Sequence, residues 1–377
     1  MAAKRVSCAE GKQPEAAQPH VLLEGGYHER LQLYLRRSFT TFHMCIPQRI
    51  CKGWPVLPEG GGARLTPNDL MVTHATRLIS TPGVRRVNDV LFLPNGRVAG
   101  AADHIIELWD LASSDLKQTL SAHTARVSCL ACSPDGSLLA SGSDDATIRL
   151  WQVDTGYQSV TLFGHDGAVH SIAMSSDGRL LASGGADGTV RLWDLTTGTA
   201  VRTLLGYGPI VQAVAFSPVG MTLASGDSGG YITLRDIGAL EVHARWAAHE
   251  GPVNAVAFSP DGVLLASGGD DVLIAVWEVA TQQGHRLEEE SATTQSTAAV
   301  TFDPTGAIIG RAGRWGWPEV TLWDAASGQI LAEMTHHNDD VTSLAFDHSG
   351  AWLAVGCGGD GRHPGEIEVW RIEKTSH

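Results

Sequence analysis

The chain has 377 residues, of which 43% are hydrophobic, and no stretch approaches about 18 consecutive apolar residues, so we predict a core without a transmembrane helix. A net charge of −14 argues against general binding to nucleic acid or to an anionic membrane surface. The six Cys residues do not form a disulfide framework, and residues 1–20 lack the apolar run of a secretory signal. We therefore expect a reducing, cytoplasmic location.

Residues 1–70 differ from the rest of the chain in charge and pattern. They carry nine Lys/Arg and six Asp/Glu, a net charge of +3, so that −17 falls on residues 71–377. Such a shift indicates a boundary near residue 70. We interpret residues 1–70 as an extension that is disordered or loosely packed. A segment that docks a partner, or an unnatural extension from a wrongly chosen start codon, remains open.

Seven units of similar length follow this extension. In six of them a Trp ends a short apolar run, and in the fourth unit an Arg replaces the Trp. The seven positions are Trp109, Trp151, Trp193, Arg235, Trp277, Trp323 and Trp370. The first four steps between them are 42 residues long, and the last two are 46 and 47. Repetition at such a period indicates a repeat architecture with one supersecondary unit per repeat.

The body of each unit also recurs. Ser-Pro-Asp-Gly or a close variant precedes Leu-Leu-Ala-Ser-Gly in three units, at residues 133–142, 175–184 and 259–268. Pro sets φ at the first corner of a turn and Gly accepts a positive φ, so we predict a turn between two strands. Val190 and Leu192 alternate with Arg191 and Trp193, which is the period of a strand. Each unit is predicted to supply about four short strands.

These recurring residues resemble the WD-repeat family, in which each repeat of about 40–45 residues forms one four-stranded propeller blade. The resemblance covers roughly residues 71–372, and the near-identical repeats are more similar to bacterial WD-repeat proteins than to diverged eukaryotic ones. It implies an all-β fold for residues 71–377, a seven-bladed WD-repeat β-propeller.

Three units share a set of polar residues at identical spacing. The sets are His123, Ser141, Asp145 and Trp151; His165, Ser183, Asp187 and Trp193; and His249, Ser267, Asp271 and Trp277. Ser, His and Asp are also the residues of a hydrolase triad, but a catalytic site needs to occur only once. The family resemblance implies a buried chain instead, in which Asp accepts from His, His bonds Ser and Ser bonds the Trp indole. A satisfied buried network of this kind specifies the packing.

The fourth unit departs from this pattern. Tyr207 replaces the His, Gly229 the Asp and Arg235 the Trp, while Ser225 stays. We expect the His, the Asp and the Trp of a network to be lost together, because a buried Asp without its hydrogen-bond partner destabilises the fold. We predict that the fourth unit has no network of this kind.

The seventh unit has no outer strand after Trp370. Residues 74–79, just before the first repeat, match residues 200–205, which form the outer strand of a typical repeat. The resemblance to the ring-closing arrangement of the family implies that residues 74–79 form the outer strand of the last blade, which hides the edge of the ring. This places the start of the propeller near residue 71.

Two units contain extra residues between the turn Gly and the Trp. The step from the turn Gly to the Trp position is 15 residues in the second to fifth units, 17 in the sixth and 20 in the seventh. In the family this connection opens on the top face, where partners usually bind. The candidate binding residues in and beside it are Arg311, Arg314, Trp315, Trp317, Arg362 and His363. Trp and Arg are enriched at binding hot spots, although local packing of Trp315 or Trp317 over the sixth blade remains open.

The sequence indicates no cofactor and no metal site. Cys129 and Cys132 have the spacing of a metal knuckle, but they lie in a predicted strand and no second Cys pair accompanies them. Asp360, His363 and Glu366 lie in a Gly-rich loop, where solvated polar residues are usual.

We interpret the chain as a non-enzymatic scaffold, a monomeric propeller within a larger complex that presents peptide- or protein-binding loops on its top face. The Arg side chains indicate an acidic or carboxylate-bearing partner. A reader of modified peptide tails on chromatin would be a special case that the sequence cannot specify. The alternative is a propeller enzyme, a hydrolase or lyase with its site in the central channel, because the fold does not exclude catalysis.

Overall fold

The computed structural model describes residues 70–79, 84, 86–205, 208–271, 273–287, 296–314, 319–334, 340–358 and 364–374. The chain divides into two units, Met1–Arg49 and Ile50–His377, and all described residues belong to the second. The predicted extension therefore lies outside the described residues, except for Leu70. The described residues form 28 strands in seven four-stranded antiparallel sheets, which confirms the predicted all-β propeller.

The strands of the first six blades follow one another along the chain, from the innermost to the outermost. Blades 1 to 3 contain β2 (Val87–Phe92), β3 (Arg97–Ala102), β4 (Ile105–Asp110), β5 (Asp115–Ser121), β6 (Val127–Cys132), β7 (Leu138–Ser143), β8 (Thr147–Gln152), β9 (Tyr157–Phe163), β10 (Val169–Met174), β11 (Leu180–Gly185), β12 (Val190–Asp194) and β13 (Thr199–Leu204).

Blades 4 to 6 contain β14 (Val211–Phe216), β15 (Thr222–Asp227), β16 (Tyr231–Asp236), β17 (Val242–Ala247), β18 (Val253–Phe258), β19 (Leu264–Gly269), β20 (Ile274–Glu278), β21 (Gly284–Leu287), β22 (Ser296–Phe302), β23 (Ile308–Arg314), β24 (Val320–Asp324) and β25 (Ile330–Met334). Blade 7 contains β26 (Asp340–Phe346), β27 (Trp352–Gly358), β28 (Glu366–Lys374) and, as its outer strand, β1 (Leu70–Ile79).

The predicted turns join the first and second strands of the blades. Gly136, Gly178 and Gly262 have φ values of 69°, 69° and 71°, so the expected positive φ is confirmed. In blade 2 the Ser133 hydroxyl donates to Asp135 and accepts from the backbone N–H of Leu138, which ties the two ends of the turn together.

The apolar core lies between neighbouring blades. Trp151 of blade 2 packs in one cluster with Ile106 and Leu108 of blade 1, and Trp193 of blade 3 packs in the next with Ile148 of blade 2. Each blade therefore completes the core of its neighbour, as in other repeat proteins. Two of the second strands, β11 and β19, have the same six residues, Leu-Leu-Ala-Ser-Gly-Gly. No helix among the described residues is long and apolar enough to span a membrane.

The two faces of the disc are defined by the direction of the innermost strands. We call the face at which these strands begin the top face, and the face at which they end the bottom face. The first residue of an innermost strand pairs with the last residue of the second strand, as Val169 does with Gly185 and Asp340 with Gly358. The connections between second and third strands therefore lie at the top face.

The ring closes between the two ends of the described chain. β1 pairs with β28 from Leu70, opposite Lys374, to Ile79, opposite Glu366. Arg77 Nη2 donates to Glu368 Oε1 at 3.0 Å, and because Arg77 is half exposed this ion pair contributes about 1 kcal/mol or less. The strand begins four residues before the segment 74–79 that the sequence indicates, because β28 extends to Lys374 and offers it partners.

Candidate functional site on the top face

Blades 2, 3 and 5 each hold four hydrogen-bonded side chains. In blade 2, His123 Nδ1 lies 2.9 Å from Asp145 and His123 Nε2 lies 2.8 Å from Ser141 Oγ, to which the Trp151 indole N–H donates at 2.9 Å. Because an ionised carboxylate only accepts, Nδ1 carries the proton and Nε2 accepts from the Ser hydroxyl. The same contacts, at 2.7–3.0 Å, join His165, Ser183, Asp187 and Trp193, and His249, Ser267, Asp271 and Trp277.

The carboxylate of each set also binds backbone on both sides of it. Asp145 Oδ2 accepts from the N–H of Thr124, in the loop before the innermost strand. Its Oδ1 accepts from the N–H and hydroxyl of Thr147, where the third strand begins. One side chain therefore joins two connections that are distant in sequence.

Burial and these hydrogen bonds set the charges of the network. Burial lowers the pKa of His123 below the ordinary 6.5, and the nearby Asp145 offsets this only in part. Burial opposes ionisation of Asp145, but hydrogen bonds from Thr147, His123 and Thr124 outweigh it and lower the pKa of Asp145 to about 2. At neutral pH the imidazole is neutral and the carboxylate is charged. The Ser141 hydroxyl, which would be the nucleophile of a hydrolase, belongs to a residue that is 0% exposed and cannot meet a substrate.

Blade 4 contains a different network, which the sequence analysis did not predict. Asp227 Oδ2 accepts from the backbone N–H of Gly208 at 3.0 Å, and Oδ1 accepts from those of Gly229 and Tyr231 at 2.8 and 3.1 Å. Arg245 of the outer strand donates to Asp227 at 3.0 Å and stacks over the Tyr231 ring. The carboxylate has moved two residues toward the start of the turn, and this shift hides it from a search at the expected spacing. Asp227 occupies a position where the other network blades have Ser or Gly. This difference is the sequence signal that could have revealed the network of blade 4.

Blades 1 and 6 have the Trp without the full set of partners. The buried indole nitrogens of Trp109 and Trp323 have no hydrogen-bond partner among the residues that the structure describes. In blade 6, Arg311 stands opposite Thr321, where the network blades have their Ser.

This position of Arg311 corrects its assignment to an exposed binding loop. Its side chain is 1% exposed within β23, and Nε donates to Thr297 at 3.3 Å. The expected loop begins later in the chain because β23 continues to Arg314, and Gly313 N–H still donates to the carbonyl of Glu319. Arg311 therefore packs inside the blade.

The other candidate binding residues lie at or beyond the ends of described strands. Arg314 is the last residue of β23, and its side chain lies outside the described part of the structure, as do Trp315, Trp317, Arg362 and His363. The connections that contain them, from β23 to β24 and from β27 to β28, both leave from the top face, since Ser296 pairs with Arg314 and Asp340 with Gly358.

A polar cavity of about 380 Å³ forms the top mouth of the central channel. Part of its lining is already paired: Arg126 and Ser128 both donate to Asp144, at 3.0 and 2.9 Å. Other lining groups have hydrogen-bonding capacity to spare. Within the described part of the chain, the buried Oδ1 atom of Asn88 has no partner, and the side chains of His170 and Gln212 have no hydrogen bond.

Asp89 lies in this mouth and links three blades, a role that the sequence analysis missed. Its carboxylate accepts from Leu130 N–H of blade 2 at 2.7 Å, from Ser343 Oγ of blade 7 at 2.6 Å and from Val90 N–H at 2.9 Å. Burial raises its pKa to about 6 despite these bonds. The signal was present, because Asp89 is the one acidic side chain at its position in the innermost strands, where the other blades have Cys, Ser or Ala.

The bottom mouth of the channel has the opposite character. It is a cavity of about 420 Å³ whose lining includes Phe92, Met174, Phe258, Phe302 and Phe346. The top mouth is therefore the more polar of the two. Within the described residues, no group of three or more His, Cys, Asp or Glu side chains could hold a metal ion.

Comparison with known protein families identifies the architecture. A family model described as the first WD40 domain of WDHD1 matches residues 85–307, more than half of the chain. The chain belongs to the WD-repeat family. A second model, described as WD domain, G-beta repeat, matches residues 328–362. These matches and the seven sheets confirm the predicted seven-bladed WD-repeat propeller.

A curated relative resembles part of this WD-repeat protein. A guanine nucleotide-binding protein subunit beta of Schizosaccharomyces pombe is 40% identical to it over 65 residues, which is 17% of this chain. The match covers 21% of that relative's length. WD-repeat propellers of this kind are typical of non-enzymatic protein-interaction scaffolds, and this general class agrees with the function expected from the sequence.

Proposed function

We propose that this protein is a non-enzymatic scaffold that holds a peptide or protein segment on the top face of its propeller. The observation that carries the proposal is the unused hydrogen-bonding capacity of Asn88, His170 and Gln212 at the top mouth. An extended segment lying over the mouth would supply backbone donors to Asn88 and acceptors to Gln212. Because these residues stand on innermost strands held between neighbouring blades, they form a rigid site that loses little entropy on binding.

The loops of blades 6 and 7 extend this site. They leave from the top face and contain Trp315, Trp317 and Arg362, residue types that anchor partners at interfaces. Arg86 and Arg126 line the mouth itself. Arg pairs well with carboxylates, so an acidic partner segment remains our expectation. The alternative of a hydrolase or lyase with its site in the central channel has less support, because the family matches are typical of non-enzymatic interaction scaffolds.

Quantitative affinity purification from cross-linked cell extract tests the proposal. Two top-face variants, His170→Ala/Gln212→Ala and Trp315→Ala/Trp317→Ala, are compared with the wild type. The bottom-face variant His348→Ala is the control, since the His348 side chain is 74% exposed. Each top-face variant should keep its melting temperature and retain less than about a tenth of the same set of partners. Retention of all partners by both top-face variants, or equal losses in the control, would contradict a top-face site.

A further inference from the structure

The bottom mouth of the channel is lined by apolar side chains from strand ends and turns. The innermost strand ends in Phe in five blades, at Phe92, Phe216, Phe258, Phe302 and Phe346. Four of these Phe residues line the mouth, together with the turn residues Pro94, Pro134, Pro260 and Pro304. All the rings except that of Phe302 are only partly buried. An apolar surface that stays in contact with water is typical of a binding site.

This apolar surface continues between the turns of blades 5 and 6. A second cavity of about 350 Å³ lies there and shares Pro260 with the mouth. Its lining includes Thr305 and Val263, and Val263 is 41% exposed. Val219 of the neighbouring turn is 61% exposed and close by, since a Cβ on Gly262 would lie 3.5 Å from it. The mouth and the second cavity together form one apolar surface, which we call the bottom groove.

The chain enters the propeller beside the bottom groove. Leu70, the first described residue, pairs with Lys374 at the end of β28. Third strands begin at the top face, so β28 ends at the bottom face. Lys374 Nζ donates to Asp303 at 2.8 Å and to Thr305 at 3.0 Å. Asp303 lines the mouth and Thr305 the second cavity, so the residues that precede Leu70 in the chain are attached at this groove.

Residues 50–58, Ile-Cys-Lys-Gly-Trp-Pro-Val-Leu-Pro, have a composition that suits such a groove. Four of these nine side chains are large and apolar, and two residues are Pro, which restricts the backbone and lowers the entropy lost on binding. Lys52 is the one charged residue of the segment. Its charge complements the acidic turns of the bottom face, which carry the exposed residues Asp135, Asp177 and Asp261.

Residues 59–69 are long enough to bring this segment to the groove. β1 is the outermost of four strands, so about 15 Å separates it from the innermost strand at about 4.8 Å per strand. These residues include three consecutive Gly, and as a flexible coil they span about 18 Å, with about 36 Å as the extended limit. So short a link also holds the segment at a high local concentration, which favours binding through weak contacts.

We propose that residues 50–58 bind in the bottom groove of their own chain and place Trp54 in the bottom mouth. There the indole meets Phe, Met and Pro side chains, which are surroundings that favour a large aromatic ring. The groove lies on the face opposite the proposed top-face site, so the two proposals are independent.

Photo-cross-linking within the full chain tests the place of Trp54. The photoreactive residue p-benzoylphenylalanine replaces Trp54, and in the control it replaces Phe42, an aromatic residue before the segment. After irradiation, mass spectrometry of the monomer-sized band should show links from position 54 to residues 257–264 and 301–306. Links to these residues from position 42 should be about tenfold rarer. The proposal is overturned by an absence of these links, by equal linking from position 42, or by links between two chains alone.

Alkylation of Cys132 measures whether the segment covers the mouth. This partly buried thiol lines the mouth, and peptide mass spectrometry of the purified full chain follows its reaction. Trp54→Ser/Leu57→Ser should raise the alkylation rate about fivefold or more, because the segment no longer shields the thiol. Phe42→Ser should leave the rate unchanged. Equal rates in the wild type and in the double variant would contradict coverage by this segment.

Two further variants test the groove itself. Val263→Asp places a charge in the groove and should raise the alkylation rate of Cys132, whereas Val201→Asp, at a 50% exposed position on the outer strand of blade 3, should not. Equal effects of the two variants would contradict docking in the groove. Protection of Cys132 in the wild type should not depend on protein concentration, because one chain supplies both parts. Protection that rises with concentration would assign the groove to a second copy and overturn the proposal.

Discussion

Blades 3 and 4 fasten the loop before their innermost strand to the turn between their second and third strands in two different ways. In blade 3, Asp187 accepts from the backbone N–H of Asp166 in the loop and of Thr189 in the turn. In blade 4, Asp227 accepts from the corresponding loop and turn N–H groups, although it stands two residues earlier in the repeat. The carboxylate thus keeps its contacts while its place in the sequence changes.

The side chain that supports each carboxylate differs more. In blade 3 this side chain is the neutral His165, which also accepts a hydrogen bond from Ser183, and the Trp193 indole donates to the same Ser. In blade 4 it is the charged Arg245, which comes from the outer strand, donates to Asp227 and stacks over the Tyr231 ring. The comparison teaches that the backbone N–H groups of loop and turn require a buried acceptor, and that the rest of the network can be exchanged.

Removing the acceptor of blade 4 should have the largest effect. In Asp227→Ala, three backbone N–H groups and Arg245 lose an acceptor at once, so we expect the free energy of unfolding to fall by about 3 kcal/mol. Urea denaturation measures this loss. Asp236→Ala in the same blade removes a carboxylate that binds Ala239 N–H in an exposed turn, and should cost less than about 1 kcal/mol. Equal losses of stability in Asp227→Ala and Asp236→Ala would show that Asp227 does not hold the loop and the turn together.

The corresponding change in blade 3 should cost somewhat less. Asp187→Ala leaves His165 and the N–H groups of Asp166 and Thr189 without their acceptor, and we expect a loss of about 2 kcal/mol in the same assay. Two backbone N–H groups lose their acceptor in this variant, compared with three in Asp227→Ala. A loss clearly larger than that of Asp227→Ala would reverse the comparison and make the His–Ser–Trp chain the main source of stability.

A fall in pH should affect the stability of blade 3 more than that of blade 4, because only the network of blade 3 includes a His. Burial lowers the pKa of His165 below 6.5, so the unfolded state binds a proton first and stability falls as the pH drops below 6.5. The pKa of Asp187 is lowered to about 2, so its contribution is present above 3.8 and is lost between 3.8 and about 2. The stability difference between the wild type and His165→Gln should therefore narrow as the pH falls from 6.5. A difference that stays constant with pH would contradict a neutral buried imidazole.

The smallest effect is expected at Gly229. An added Cβ there would lie 3.1 Å from Asp227 Oδ1, so Gly229→Ala should shift the carboxylate slightly and cost about 1 kcal/mol or less. Gly238→Ala is the control, since its Cβ would meet only the exposed carboxylate of Asp236, and we expect almost no change in melting temperature. If Gly229→Ala were as harmful as Asp227→Ala, the carboxylate of blade 4 would have no freedom to adjust.

The sequence predicts most of the fold because its repeats are regular. The Trp spacing and the turn motif ending at Gly136, Gly178 and Gly262 indicate seven blades, since each turn needs a positive φ that Gly accepts. Contacts between side chains at unequal spacing are harder to predict. Arg245 reaches Asp227 from the neighbouring strand, and Arg311 enters the core, because the pairing of strands decides where each long side chain ends.

The identity of β11 and β19 has a consequence for how the chain assembles. β11 and β19 both present Leu-Leu-Ala-Ser-Gly-Gly to the third strand of their blade. A third strand exchanged between blades 3 and 5 would therefore pair with a second strand of the same sequence. The side chains of β11 and β19 cannot distinguish these two places, so the differing first and third strands and the short links between strands must do so. Blade 4, whose sequence differs, lies between blades 3 and 5. Separating similar repeats in this way lowers the chance that they exchange strands during folding.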